Sequence, residues 1–153
     1  NGKSPVQVLS NLGANITITG GSGTPYTQTS KILPYGAMGP IKGSINGARL
    51  PWQFLINARV DKDFNFALNK RKTGTFNVYV EINNLLNTKN VTAVYPATGT
   101  ADDDGYLSAP EWQNAISQQV NPESFVDLYS INMNNPYRYS SPRTIRLGVM
   151  FNF

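Results

Sequence analysis

The residues best equipped for chemistry lie in one acidic stretch, Thr100-Ala101-Asp102-Asp103-Asp104-Gly105-Tyr106-Leu107-Ser108-Ala109-Pro110-Glu111. Laid on the loop of an EF-hand, Asp102 and Asp104 take the third and fifth positions and Gly105 the sharp turn. Tyr106 then takes the backbone-carbonyl position, Ser108 the ninth and Glu111 the bidentate last one. Every ligand is an oxygen, which suits a hard cation such as Ca2+, and an external loop bathed in millimolar calcium could fill even a weak site. Thr100 stands first, where aspartate is usual. A plainer reading fits the same residues. Acidic turns often precede helices, and Pro110-Glu111-Trp112 opens a helix leading into Gln113 to Val120, with Glu111 near its positive end.

Little else in the chain is reactive. There is no cysteine and no histidine, which removes disulfides, thiolate nucleophiles, imidazole bases and the commonest transition-metal ligands together. Catalysis is not expected. The net charge is +4, with basic residues scattered except for Lys70, Arg71 and Lys72, so the Lys/Arg tracts of nucleic-acid arms are missing and nucleic acid is not an expected partner. Charged residues make up 14% of the chain, about half the usual share, and a surface so poor in charge suits lipid better than water. No run approaches the roughly 18 apolar residues of a membrane helix and no signal peptide is present. The chain opens on Asn1 and reads as a piece of a longer polypeptide.

The elements that must carry these residues have a period of two. Four segments, about 6–19, 52–66, 75–86 and 142–153, alternate apolar and polar residues over roughly ten positions or more. The first sets Val6, Val8, Leu12, Ala14, Ile16 and Ile18 against Gln7, Asn11, Gly13, Asn15, Thr17 and Thr19. The second sets Trp52, Phe54, Ile56, Ala58, Val60, Phe64 and Phe66 against Gln53, Asn57, Arg59, Asp61, Asp63 and Asn65. Lys62 intrudes on its apolar face, where a lysine near a membrane rim can snorkel. The third sets Phe76, Val78, Val80 and Ile82 against Thr75, Asn77, Tyr79, Glu81 and Asn83, with a bulged extension through Leu86 toward Tyr95 expected. The fourth sets Ile145, Leu147, Val149, Phe151 and Phe153 against Thr144, Arg146, Gly148, Met150 and Asn152.

Strands of soluble domains usually stop near 5 or 6 residues, whereas a tilted outer-membrane strand needs about 9 to 11. A water-soluble antiparallel sandwich would also alternate, but a terminal strand with five apolar positions ending on Phe153 fits it poorly. The expected architecture is therefore all-β: the last four antiparallel strands of a large transmembrane barrel. Counted back from a periplasmic C-terminus, Leu68 to Gly74 is a short periplasmic turn. The segments of about 20–51 and 96–141 are then long extracellular loops rich in Gly, Pro, Asn and Ser, the second holding the short helix. Four strands cannot close a barrel, so the rest of the wall must be supplied elsewhere. Arg59, Asp61, Asp63 and Glu81 face a wet lumen in this scheme and pair their charges there.

Three stretches carry a resemblance. Tyr137 to Phe153 resembles the closing strand of TonB-dependent receptors, Glu81-Ile82-Asn83-Asn84-Leu85-Leu86-Asn87 their penultimate-strand signature, and Ser22-Gly23-Thr24-Pro25-Tyr26-Thr27 a third match in the family's order. The likeness is closest to Oar-like receptors bearing an N-terminal carboxypeptidase-regulatory-like domain. It implies a 22-stranded barrel in the outer membrane, filled by an upstream plug and energised through an upstream TonB box for ligand uptake. It also implies that Ile145, Leu147, Val149, Phe151 and Phe153 form the signal read by the barrel-assembly machinery. The expected partners are outer-membrane lipid, the remaining strands and plug, TonB, that machinery and a protein at the cell surface. Two other functions compete. One is a non-transporting outer-membrane scaffold or secretion-associated barrel that uses its loops for protein contacts. The other is a soluble carbohydrate-binding sandwich with a calcium loop.

Overall fold

The computed structural model describes residues 9–69 and 72–152. Along the chain run β1 (Leu12–Gly21), β2 (Pro25–Tyr26), β3 (Ala48–Arg49), β4 (Gln53–Asn69), β5 (Lys72–Asn83) and β6 (Thr144–Asn152). The four long strands form one antiparallel sheet in the order β1-β4-β5-β6, and β2 pairs with β3 in a separate ribbon. Val6, Val8, Lys70, Arg71 and Phe153 lie outside the described residues. Strand accounts for 38% and helix for 20%, so the all-β expectation needs a helical addition. No helix among the described residues is long and apolar enough to cross a membrane, which says nothing of strands.

Register converts the alternation of each strand into two continuous faces, because side chains directly across a ladder point the same way. On one face Ala58, Ile82 and Ile145 form a row, followed by Val60, Val80 and Leu147, then Lys62, Val78 and Val149, then Phe64, Phe76 and Phe151. The opposite face carries Arg59, Glu81 and Arg146, then Asp61, Tyr79 and Gly148, then Asp63, Asn77 and Met150, then Asn65, Thr75 and Asn152. The β4–β5 hairpin is tighter than the Leu68 to Gly74 turn expected: β4 runs to Asn69, past a register shift after Ala67, and β5 resumes at Lys72.

The expected bulged extension of β5 toward Tyr95 does not form. Asn84 adopts φ +56 and turns the chain out of the sheet, a conformation asparagine tolerates better than most residues. The same segment folds back on itself at Asn87, φ +53, whose N–H donates to the Asn84 carbonyl at 2.9 Å.

The two long connections, from β1 to β4 and from β5 to β6, leave the sheet at the same end and build a second compact unit of Gly20–Gln53 and Lys89–Ser140. They are not irregular loops. The second contains α1 (Gln113–Ser117), led in by a 3-10 turn at Pro110–Trp112, and α2 (Pro122–Met133). The helix expected through Val120 stops at Ser117, and a longer one follows. Its start is chemically marked: Pro122 occupies the first turn, and the Asn121 side chain accepts from the Ser124 N–H at 3.2 Å. Tyr95, Tyr106, Ile116, Tyr129 and Met133 form the core of this unit, with Ile32, Leu107, Trp112, Phe125 and Val126 packed around them.

Candidate functional site

The acidic stretch folds around Asp104, which is 2% exposed and surrounded by the aromatic core. Its Oδ2 accepts from the Tyr129 hydroxyl at 2.5 Å and from the Gly36 N–H at 3.1 Å, and its Oδ1 from the Tyr106 N–H at 3.0 Å. Tyr129 in turn accepts the Tyr35 N–H on its hydroxyl oxygen at 2.7 Å. A buried carboxylate is tolerated where such donors replace its water. Burial, and then the hydrogen bond to Asp104, push the Tyr129 phenol well above its ordinary pKa. Gly36 sits at φ +65 with the Tyr95 ring 2.5 Å from where a Cβ would stand, so only glycine lets this amide approach.

Around this centre the rings are close. Tyr106 lies 5.0 Å from Tyr129 and 5.3 Å from Trp112, centre to centre, and the Trp112 indole N–H donates to the Ile32 carbonyl at 3.0 Å. Tyr95 donates its hydroxyl to the Met133 carbonyl at 2.9 Å, and the Arg138 guanidinium stacks over its ring at 3.6 Å.

The five residues of the expected calcium loop do not assemble as a cage. Asp104 points into the core, Asp102 and Glu111 are exposed, Tyr106 contributes its N–H and its ring to packing, and the Ser108 hydroxyl donates to the Gly105 carbonyl at 3.1 Å. Asp103 accepts the Gly105 N–H on its carboxylate at 2.7 Å and closes the turn. Calcium needs about six to eight converging oxygens. Here the Asp104 oxygens already accept three protein donors, and among the described residues no three acidic side chains come together in a group able to hold a metal. As arranged here, the side chains of Asp104 and of the exposed Asp102 and Glu111 are not gathered around one cation position. The acidic run is a turn whose last aspartate anchors a core.

The polar face of the sheet is the second candidate. The Asn77 Nδ2 donates to Asp63 at 2.6 Å and to Asp61 at 3.4 Å, holding the two carboxylates along one rail. Arg59 lies 3.7 Å from Asp61 and its guanidinium stacks on Tyr79 at 4.2 Å. Tyr79 leans over Gly148, where a Cβ would fall 2.2 Å from the ring. Of the charge pairing expected among these residues, Arg59 and Asp61 form the pair, while Asp63 is held by an asparagine that charge counting missed. Glu81 lies across from both Arg59 and Arg146 and accepts from Asn83 at 3.2 Å.

Of the expected assembly signal, Ile145, Leu147, Val149 and Phe151 stand in one line on the apolar face of β6, with Leu147 74% exposed. Phe153 lies outside the described residues. The Asn84 segment has a definite local function. Asn84 is 3% exposed; its Nδ2 donates to the carbonyls of Thr88 and Ser141, both at 3.0 Å, and its Oδ1 accepts from the Thr88 N–H at 2.9 Å. Its own N–H reaches the Asn57 side chain at 3.0 Å, and Asn87 accepts from the Arg143 N–H at 3.0 Å. One short motif therefore clamps the ends of three strands.

No family model, curated protein or solved structure matches the chain.

Proposed function

We propose that this chain forms four consecutive strands in the wall of an outer-membrane β-barrel of the TonB-dependent receptor type, serving energised uptake of a ligand. The observation that carries the reading is the continuous apolar face left exposed by the sheet. Its polar face is hydrogen-bonded to itself, while Ile16, Val60, Phe64, Leu147 and Phe151 stand exposed on the other. In water each such side chain would forgo about 1.5–3 kcal/mol of burial, whereas against hydrocarbon it is at home. Strands of 17 and 12 residues exceed the roughly 9–11 that a bilayer requires.

Support comes also from topology. A tight hairpin joins β4 and β5 at one end, and both long connections leave from the other, the asymmetry of periplasmic turns and extracellular loops. Among the described residues β1 and β6 are the outer strands of the sheet, and edges so placed call for neighbouring strands, since amides left open in lipid cost several kcal/mol each. On this reading plug and TonB box lie in other parts of the receptor, the C-terminus is periplasmic, and the β6 apolar line with Phe153 is offered to the barrel-assembly machinery. The chain contributes no catalytic group.

Heat-modifiability tests the proposal. The polypeptide carrying this chain, folded in detergent, should migrate faster on a gel unheated than boiled. A water-soluble product whose migration ignores heating would sink it.

A further inference from the structure

Between Phe54 and Phe66 the apolar face of β4 is interrupted by one charge, Lys62. Its Nζ donates to the Ser10 carbonyl at 3.1 Å and lies 5.8 Å from the centre of the Phe64 ring. The height of that ammonium follows from register. The Asp63 N–H bonds the Asn11 carbonyl, so Ser10, one residue earlier on the neighbouring chain segment, is level with Phe64. The side chain thus reaches from the row of Val78 and Val149 down to the row of Phe64, Phe76 and Phe151. Those three rings form a ladder, 6.0 Å and 4.9 Å between successive centres.

Aromatic side chains and snorkelling lysines gather where hydrocarbon meets headgroups. The opposite limit of the band agrees: Phe54, exposed on the same face, lies about ten residues along β4, which at ~3.3 Å per residue and a tilt near ~40° is roughly 25 Å away, the height of an outer-membrane apolar belt. We infer that Lys62 and the ring row Phe64, Phe76 and Phe151 form a headgroup site for an anionic phospholipid of the periplasmic leaflet. This rests on the barrel reading. The lipid phosphate meets the ammonium through a charge-assisted contact, and the acyl chains continue over Val78, Val149 and Val80. The anchoring to Ser10 holds the ammonium at that height. A lipid fits better than an acidic peptide because the surface beyond the charge stays apolar toward Phe54.

The test uses the polypeptide carrying this chain, folded in mild detergent, with phosphatidylglycerol and phosphatidylcholine as probes in native mass spectrometry. Wild type should retain phosphatidylglycerol preferentially. Lys62→Gln should lower that retention about fivefold, the attraction of one basic residue for an anionic surface, leaving phosphatidylcholine unchanged, and Lys62→Arg should keep the preference. Equal phosphatidylglycerol retention by wild type and Lys62→Gln overturns the site, as does displacement of the lipid by inorganic phosphate. Heat-modifiable migration of the same samples separates the two failures: if it persists, only the lipid site has failed; if wild type lacks it, the barrel has failed as well.

Discussion

Replacing Asp104 with alanine leaves the Tyr129 hydroxyl and the Gly36 and Tyr106 amides without their acceptor in a closed aromatic core. Asp104→Ala should therefore destabilise the loop unit by about 2–4 kcal/mol, and Tyr129→Phe by about 1–2, seen in denaturant unfolding followed by near-ultraviolet dichroism. A double-mutant cycle should return a coupling of about 0.5–3 kcal/mol, since the two side chains share one bond. The alkaline limb has a definite sign. The Tyr129 phenol is raised above its ordinary value of 10.0, so the stability it contributes is complete below about pH 10 and is lost as pH climbs through the folded value. Phenolate absorbance should show Tyr129 ionising only as the unit unfolds, a contribution that Tyr129→Phe should remove. Calcium is expected to leave the melting temperature where a chelator leaves it, because the Asp104 oxygens are already engaged. The acidic run was plain in the sequence, but the burial of Asp104 was not. Its partners Tyr129 and Gly36 stand 25 and 68 residues away, beyond any local pattern.

At the level of elements, close fits decide. Gly148→Ala puts a methyl into the Tyr79 ring and should cost about 1–3 kcal/mol, partly restored when Tyr79→Ala is added, as measured by reversible unfolding in vesicles. The four strands were legible because their parity persists for ten or more residues, a signal few local propensities can counterfeit. The exit from β5 was not: Leu86 keeps the parity of the apolar set, and only the three side-chain bonds of Asn84 reveal why the chain turns. α2 escaped because its segment, with Phe125, Val126, Tyr129 and Ile131, is rich in strand-favouring residues and buries only Tyr129 and Met133 completely, one turn apart. The Asn121-Pro122 start was the available clue.

For the whole molecule, the two sheet faces should answer differently to one added charge. Under the barrel reading Val80→Arg, in the middle of the apolar band, costs about 2–4 kcal/mol in vesicles, while Thr75→Arg on the polar face costs little. A sheet living in water would reverse that order, since arginine would then cover a bare apolar face. The Asp104 centre also sets a timetable. The bond between the Tyr35 amide and the Tyr129 hydroxyl closes 94 residues of chain, and that between Gly36 and Asp104 closes 68. Contacts so distant in sequence form late, after loop-closure entropy has been met by other pairings. The first connection must therefore wait, its core half-built, until the strands that follow it have been laid down and the second connection arrives to complete it.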